Sequence, residues 1–339
     1  MPPDHTLQVA LPVPLPRLFD YLPPIGQAAS PSDVGKRVSV MFGNRALTGF
    51  VAGVGPPADP GMDLRPADAL LDAAPLLHGE LLESLHWLAR YTHAPLGEVV
   101  ATALPVLLRQ GEPLPDTHAW HWRLTEAGLS GRERLRAGSR PRRLADLLAQ
   151  HGTLDEDVLD LHLDTGRATA RDLGKRGLAE RFAAPPAAVA ASPRPGPALN
   201  DEQQAAADAI IGTSGFGALL LDGVTGSGKT EVYLHAIADC LRRGRQALVL
   251  VPEIGLTPQT LSRFRERLGV PVHALHSGLN DGERARTWAA CLRGEARVIV
   301  GTRSAVFTPL PEAGLIVVDE AHDGSYKQQD GIRHHARDF

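Results

Sequence analysis

One octapeptide constrains this chain more than any other feature. Gly223-Val-Thr-Gly-Ser-Gly-Lys-Thr230 sits between an apolar run at Ala218–Leu221 and a helix-patterned stretch from Lys229 to Arg243. The pattern G-x-x-x-x-G-K-[ST] between a strand and a helix makes a loop whose backbone N–H groups turn inward around phosphates. The helix N-terminus adds partial positive charge at the same place. Gly223, Val224, Thr225, Gly226, Ser227, Gly228, Lys229 and Thr230 are therefore expected to bind ATP. In that arrangement Lys229 reaches the β- and γ-phosphates and the Thr230 hydroxyl coordinates Mg2+. A chain built around such a loop needs a parallel α/β sheet, because ligands of these folds lie at the C-terminal ends of the strands.

The matching half is Leu315-Ile-Val-Val-Asp-Glu-Ala-His322, an apolar strand that ends in two carboxylates. Asp319 is expected to hold the magnesium, and Glu320 to orient and deprotonate the attacking water. Asp-Glu-Ala-His is itself a helicase box (DEAH), which makes Lys229, Asp319 and Glu320 the catalytic candidates. His322, placed after the acids, is read as a hydrogen-bonded coupling residue between the nucleotide and DNA sides. Upstream of the loop, Gln203 in Leu199-Asn-Asp-Glu-Gln203 can donate one hydrogen bond to an adenine edge and accept another. Asn200 or Asp201 can cap the helix that follows.

From Leu199 onward strand and helix signals alternate. Strands are expected at 218–221, 246–251, 272–275, 298–300 and 315–318, and helices at 229–243, 257–268 and 282–292. The strands are apolar throughout, as when helices cover both faces of a parallel sheet. Pro252-Glu-Ile-Gly-Leu-Thr-Pro-Gln259, His276-Ser-Gly278 and Gly301-Thr-Arg-Ser304 fall at strand ends and suit DNA phosphate contact. A P-loop kinase or GTPase is disfavoured, because it explains neither these segments nor the DEAH box.

The first 110 residues carry short strands at 7–10, 36–42 and 47–54 with Gly and Pro between them, which suggests a small β-barrel or sandwich. Helical spacing then runs from Leu76 to Tyr91. Residues 116–182 are dominated by helical patterns at 142–150, 155–161 and 168–176 and fit a winged-helix domain. Arginines crowd Arg132–Arg143, either as a solvated face or as a DNA-backbone patch. Residues 183–198, rich in Ala and Pro, read as a semi-rigid linker. The formal net charge of −4 offers no global basic field, so any DNA binding must be local. Cys240 and Cys291 lie in amphipathic runs, and no Cys-x-x-Cys pair provides zinc ligands. No leader-like start or long apolar span is present, so the expected location is cytoplasmic, associated with the nucleoid and not the membrane.

The chain resembles the PriA family of primosomal replication-restart helicases. The likeness runs through Gly223–Tyr233, Leu250–Gln259, Leu275–Asn280, Gly301–Ser304 and Ser325-Tyr-Lys-Gln-Gln329, and in the first unit through Val9–Tyr21 and Ala103–Gly111. The resemblance implies a multidomain, mixed fold. A β-rich domain that pockets the 3′ end of a leading strand (1–110) precedes a winged helix (116–182), the linker (183–198) and a superfamily 2 RecA-like lobe (199–339). It implies DNA contact by Phe19, Asp20, Tyr21, Arg65, Thr302, Arg303 and Lys327. An aromatic for stacking and a carboxylate for a terminal hydroxyl make chemical sense there. It also implies forked and single-stranded DNA as ligands. The implied protein partners are primosome proteins, single-stranded DNA-binding protein and the replicative helicase that the family reloads after unwinding 3′ to 5′.

The family's zinc insertion and second lobe do not follow Phe339, and Gly331–Arg337 offers histidines where relatives carry aromatics. A second lobe usually supplies an arginine worth about 10³–10⁵ in rate. The expectation is therefore that this chain alone binds nucleotide, hydrolyses slowly and does not unwind DNA. A fork-binding scaffold without ATPase or helicase activity is the alternative.

Overall fold

The computed structural model describes residues 5–117, 119–156, 159–184, 194, 196–224 and 226–339. Thr225 and most of the expected linker lie outside the described residues. The chain divides into two compact units, Met1–Pro115 together with Val189–Phe339, and Asp116–Ala188.

The first unit begins with strands β1 (Thr6–Ala10), β2 (Phe19–Tyr21), β3 (Arg37–Phe42), β4 (Arg45–Gly55) and β5 (Ala69–Leu70), followed by helices α1 (Gly79–Thr92), α2 (Leu96–Ala103) and α3 (Val106–Arg109). The strands pair antiparallel in the order β2-β1-β4-β3-β5. Two residues, Gly43 and Asn44, turn β3 into β4, and Gly43 takes φ +61°, the left-handed value a two-residue hairpin needs. The outer strands are brought together by Leu22 N–H bonding Arg65 O (3.0 Å) and Ala67 N–H bonding Leu22 O (2.9 Å). The sheet thus curls towards the small barrel expected, around Leu7, Val9, Leu11, Val38, Val40 and Val51. Buried Arg37 ties β3 to the helices. Its guanidinium makes a two-point pair with Asp72 and donates to the carbonyls of Leu108 and Glu112. A buried charge is tolerable only when paired and hydrogen-bonded in this way.

The second unit comprises β6 (Ala119–Leu124), α4 (Glu126–Gly131), α5 (Arg140–His151), β7 (Leu154–Asp155), α6 (Leu159–His162), α7 (Gly166–Lys175) and β8 (Ala179–Ala184). Its strands pair antiparallel in the order β7-β6-β8 beneath α5 and α7, with Trp122, Leu144, Leu148, Leu159 and Leu173 in the core. The helix expected at 155–161 is corrected here. Leu154 is buried opposite Trp122 in the ladder, so the segment opens as a strand, and among its described residues the α-helix covers Leu159–His162.

The rest of the first unit holds α8 (Asp201–Gly212), α9 (Lys229–Arg242), β9 (Gln246–Leu250), α10 (Pro258–Leu268), β10 (Val272–Leu275), α11 (Asp281–Leu292), β11 (Val298–Gly301) and β12 (Ala313–Val318). Asn200, Thr257 and Asn280 cap α8, α10 and α11, each accepting a backbone N–H. The strands run parallel in the order β10-β11-β9-β12. Central β9 is buried throughout. Ala247 and Val249 pack with Ile237 and Phe264 on one face, and Leu248 and Leu250 with Cys291 and Tyr326 on the other. That alternation places helices on both faces, as the uninterrupted apolar strands require. Cys240 and Cys291 are buried hydrophobes whose thiols burial pushes well above the ordinary range.

The strand expected at Ala218–Leu221 is absent. Leu220 is 87 % exposed and neighbouring Phe216 99 % exposed. An apolar run becomes a strand only when a ladder partner satisfies its backbone, and this run pairs with none of the four strands.

The two halves of the first unit share one core. Trp288 of α11 and Phe307 pack in the same buried cluster as Leu85 and Leu88 of α1, Val99 and Val100 of α2, and Leu108 of α3.

Candidate nucleotide and DNA sites

Because strands β9 to β12 run parallel, their C-terminal ends open on one edge. There the chain places Pro252–Gln259 after β9, His276–Gly278 after β10, Gly301–Ser304 after β11 and Asp319–Glu320 after β12. The Asp319 N–H continues the ladder by bonding Leu250 O (2.9 Å), and the Tyr326 hydroxyl donates to Asp319 O at 2.6 Å. Glu320 follows with φ +46°, a left-handed turn that a non-glycine residue rarely adopts. It directs the chain off the sheet directly after the first acid.

Tyr233 joins the two halves of the site. Its hydroxyl lies 3.2 Å from Thr230 Oγ1 and 3.4 Å from Asp319 Oδ2, so one phenol touches both expected magnesium ligands. Burial above all pushes this phenol up to about 12, keeping it a neutral donor. Burial first, and then the Glu320 carboxylate, raises the Asp319 carboxyl above the ordinary aspartate range. The Glu320 N–H, the Tyr233 hydroxyl and the Lys229 ammonium pull it back. Of these influences that of Lys229 is the smallest. An oxygen-only set of hydroxyl and carboxylate, short of positive charge, suits a hard divalent cation.

The phosphate loop folds on itself. Lys229 Nζ donates to the carbonyls of Gly223 (2.6 Å) and Val224 (3.2 Å), and the Ser227 N–H bonds Val224 O (3.1 Å). Gly228 takes φ +85° at the start of α9, a conformation that favours glycine, and a Cβ there would displace the Gln203 amide, 2.4 Å away. Gln203 is committed at both ends of its amide. Oε1 accepts the Asn200 N–H (3.0 Å) in a capping box, and Nε2 donates to Ser227 O (2.9 Å). It clasps the loop to α8, a role its sequence position did not reveal. Gly223, Val224, Gly226 and Ser227 are exposed, and Thr225 lies outside the described residues. His322 is also exposed, with Nε2 3.7 Å from Glu320 Oε2.

The remaining candidates divide by burial. Thr302 is buried, and Arg303 donates to the carbonyls of Ser325 (3.1 Å) and Lys327 (3.0 Å), which staples the Gly301–Ser304 segment to the turn after the DEAH box. Lys327 is exposed. In the first sheet, Tyr21 is buried with its hydroxyl on Met41 O (3.1 Å), and Phe19 meets Phe42 edge-on at 5.1 Å beneath the Arg17 guanidinium. Asp20 accepts the Ala58 N–H (2.8 Å) and lies 3.4 Å from the Thr6 hydroxyl. Exposed Arg65 is near enough to Tyr21 to lower its phenol, although burial dominates and raises it. The four residues therefore gather around one edge of the curled sheet.

Residues 8–105 match the family model of the PriA 3′DNA-binding domain, and residues 200–339 match that of the DEAD/DEAH box helicases. A replication restart protein PriA of Haemophilus influenzae is 40 % identical across 98 % of this chain. This chain belongs to the PriA family. The PriA of Synechocystis is 52 % identical over 42 % of the chain and that of Bacillus subtilis 48 % over 41 %. The chain spans 46 % of the Haemophilus relative's length. As a PriA-family chain it carries a 3′DNA-binding domain and a helicase domain of a class that uses ATP with magnesium. Among the described residues no helix is long and apolar enough to cross a membrane.

Proposed function

We propose that this chain recognises forked DNA with a 3′ end and binds Mg2+-ATP through its helicase lobe, as part of a PriA machine that unwinds DNA 3′ to 5′ and reloads the replicative helicase. The observation that carries the nucleotide half is the convergence of Thr230, Tyr233 and Asp319 at the mouth of the phosphate loop. Bound there, ATP supplies the γ-phosphoryl group and Mg2+ the charge that offsets its transfer. Lys229 exchanges its two loop carbonyls for phosphate oxygens. Thr230 and Asp319 would hold the cation, and Glu320 would orient a water and take its proton. Gln203 serves the adenine by exchanging one of its two internal bonds. Residues 1–110 supply the 3′-end pocket from Phe19, Asp20, Tyr21 and Arg65, residues 116–182 a winged helix, and Thr302, Arg303 and Lys327 the lobe's DNA side. His322 links that side to Glu320. Single-stranded DNA-binding protein and other primosome proteins are the proposed partners.

The second reading, a fork-binding scaffold without ATPase activity, is favoured by one observation. The segment leading into the phosphate loop lies exposed and off the sheet. The two are separated by DNA-stimulated ATP hydrolysis of the purified chain beside Glu320→Gln. Turnover lost in Glu320→Gln supports the enzyme, and equal background in both supports the scaffold. Lys229→Ala is expected to weaken nucleotide binding roughly 10- to 150-fold, the value of a hydrogen bond to a charged group, while sparing fork binding. Equal affinity for blunt duplex and for forks with an exposed 3′ hydroxyl would refute the fork-end reading.

A further inference from the structure

The carboxylate of Glu231, one residue beyond Thr230, takes no part in the convergence of Thr230, Tyr233 and Asp319. It lies in the first turn of α9, is 9 % exposed, and is committed to α10. Two arginines spaced four apart, and so on one helical face, hold it. Arg263 donates to Oε1 (2.6 Å), and Arg267 donates to Oε2 from Nη2 (3.2 Å) and from Nε (3.3 Å). Burial by itself would raise this carboxyl, but the two guanidiniums outweigh it and hold the group below the ordinary glutamate range. Arg267 is fixed by a further segment as well. It donates to the Arg194 carbonyl, the Arg194 N–H bonds Arg267 O (2.9 Å), and Gly196 lies so close that a Cβ would overlap the guanidinium.

A second contact joins the same two helices. The buried Phe264 ring of α10 lies 6.1 Å from the Tyr233 ring of α9, and the Tyr233 hydroxyl meets Thr230 and Asp319. Through Glu231 and Tyr233, α10 therefore sets the rotation of the first turn of α9. Helical residues are spaced about 100° apart, so the rotation that seats Glu231 between its arginines also fixes where Thr230 Oγ1 points. At its own start α10 receives the Pro252–Gln259 segment, which follows β9 at the C-terminal edge of the sheet. The segment expected to meet DNA phosphate and the expected magnesium ligand Thr230 are thus joined by one short path of a helix, two guanidiniums and a carboxylate.

Arg265 on the same helix behaves differently. It donates to Val272 O (3.3 Å) at the start of β10 and does not touch Glu231. It adds to the charge of α10 without joining the contact.

We propose that Glu231 is a positioning residue that ties Thr230 to α10, so that a DNA strand held by Pro252–Gln259 tightens the binding of Mg2+-nucleotide. The inference rests on the proposed nucleotide site and on phosphate contact by that segment. Glu231 touches neither ligand and acts through Thr230. The phosphate loop must open when a nucleotide enters, because Lys229 is spent on its own loop carbonyls. A first turn of α9 already held in place leaves less to order at that step, and a DNA phosphate that fixes α10 fixes that turn. Removing one partner of a buried ion pair leaves the other charge unmet, so the turn loses its fixed rotation even where the Phe264–Tyr233 contact remains.

The test uses the full chain and calorimetric titration with Mg2+ and adenylyl imidodiphosphate, an ATP analogue that is not hydrolysed, with and without saturating oligothymidylate. The readout is the ratio of the two dissociation constants, which a merely structural ion pair would not move. DNA should tighten nucleotide binding by the wild-type chain roughly fivefold or more. Arg263 is half-exposed, so Arg263→Gln spares the core. That variant and Glu231→Gln should each bring the ratio to within about twofold of one, and the double variant should go no further, since both break the same contact. Arg265→Gln should keep the wild-type ratio. Wild-type coupling in Arg263→Gln, or an equal loss in Arg265→Gln, overturns the proposal. A wild-type chain that binds both ligands without coupling also overturns it and leaves the proposed function standing. A wild-type chain without Mg2+-dependent nucleotide binding removes the nucleotide reading itself, and this inference with it.

Discussion

The two sides of the proposed nucleotide site are built to different standards. The acid side rides on β12, where Asp319 is fixed by the Leu250 carbonyl, by Tyr326 and by Tyr233. The phosphate-loop side hangs from the end of α9 and is held by its own lysine and by Gln203. Behind Asp319 stand fully buried Leu248 and Leu250, and behind Gly223 stand Leu219 and Leu220, largely exposed. One half of the site inherits its geometry from a packed sheet, and the other from a local motif that closes on itself. A sequence motif thus carries its loop shape with it, but not the position of that loop, which only tertiary pairing supplies.

The largest effect should come from cutting the support of the acid side. Leu250→Ala is expected to cost about 2–5 kcal/mol as a buried cavity, whereas Leu220→Ala should stay within about 0.5 kcal/mol as a surface change. Urea unfolding of both variants checks this, and comparable losses would dissolve the contrast. Next comes the bridge between the sides. Tyr233→Phe removes the hydroxyl shared by Thr230 and Asp319 and should cost about 0.5–1.5 kcal/mol of stability. Calorimetric titration should also show weaker magnesium-dependent nucleotide binding in this variant, with magnesium-independent binding nearly intact. The smallest effect is a pH dependence at Asp319. Its folded carboxyl is raised, so its contribution favours the fold below the unfolded aspartate value of about 3.9 and is lost as pH rises through the folded value. Asp319→Asn should therefore melt higher than the parent chain near neutrality, with the gap closing in acid. A gap independent of pH would remove burial of that charge as its cause.

What was legible in the sequence follows the same division. Caps, loop glycines and apolar strands are local signals, and they located α9 to α11 and β9 to β12 to within a residue or two, and the start but not the end of α8. Strands β6 and β8 went unseen because their mixed segments become strands only through partners far along the chain, as Phe182 opposite His121, and β2 because three residues are too few to show a period. The DEAH acids and Lys229 could be singled out by their motifs alone. Tyr233 could not, because its importance arises from Asp319, 86 positions away.

The Trp288–Phe307 contact with α1, α2 and α3 has a practical corollary. Cleavage after Pro115 would strip a leucine-lined face of its cover and leave a tryptophan and a phenylalanine facing solvent, an invitation to aggregate. The 3′DNA-binding domain and the helicase domain thus shield each other's apolar surface. Heat, proteases and denaturant should treat them as a single cooperative body, and dissecting them calls for solubilising substitutions at that seam instead of a clean cut.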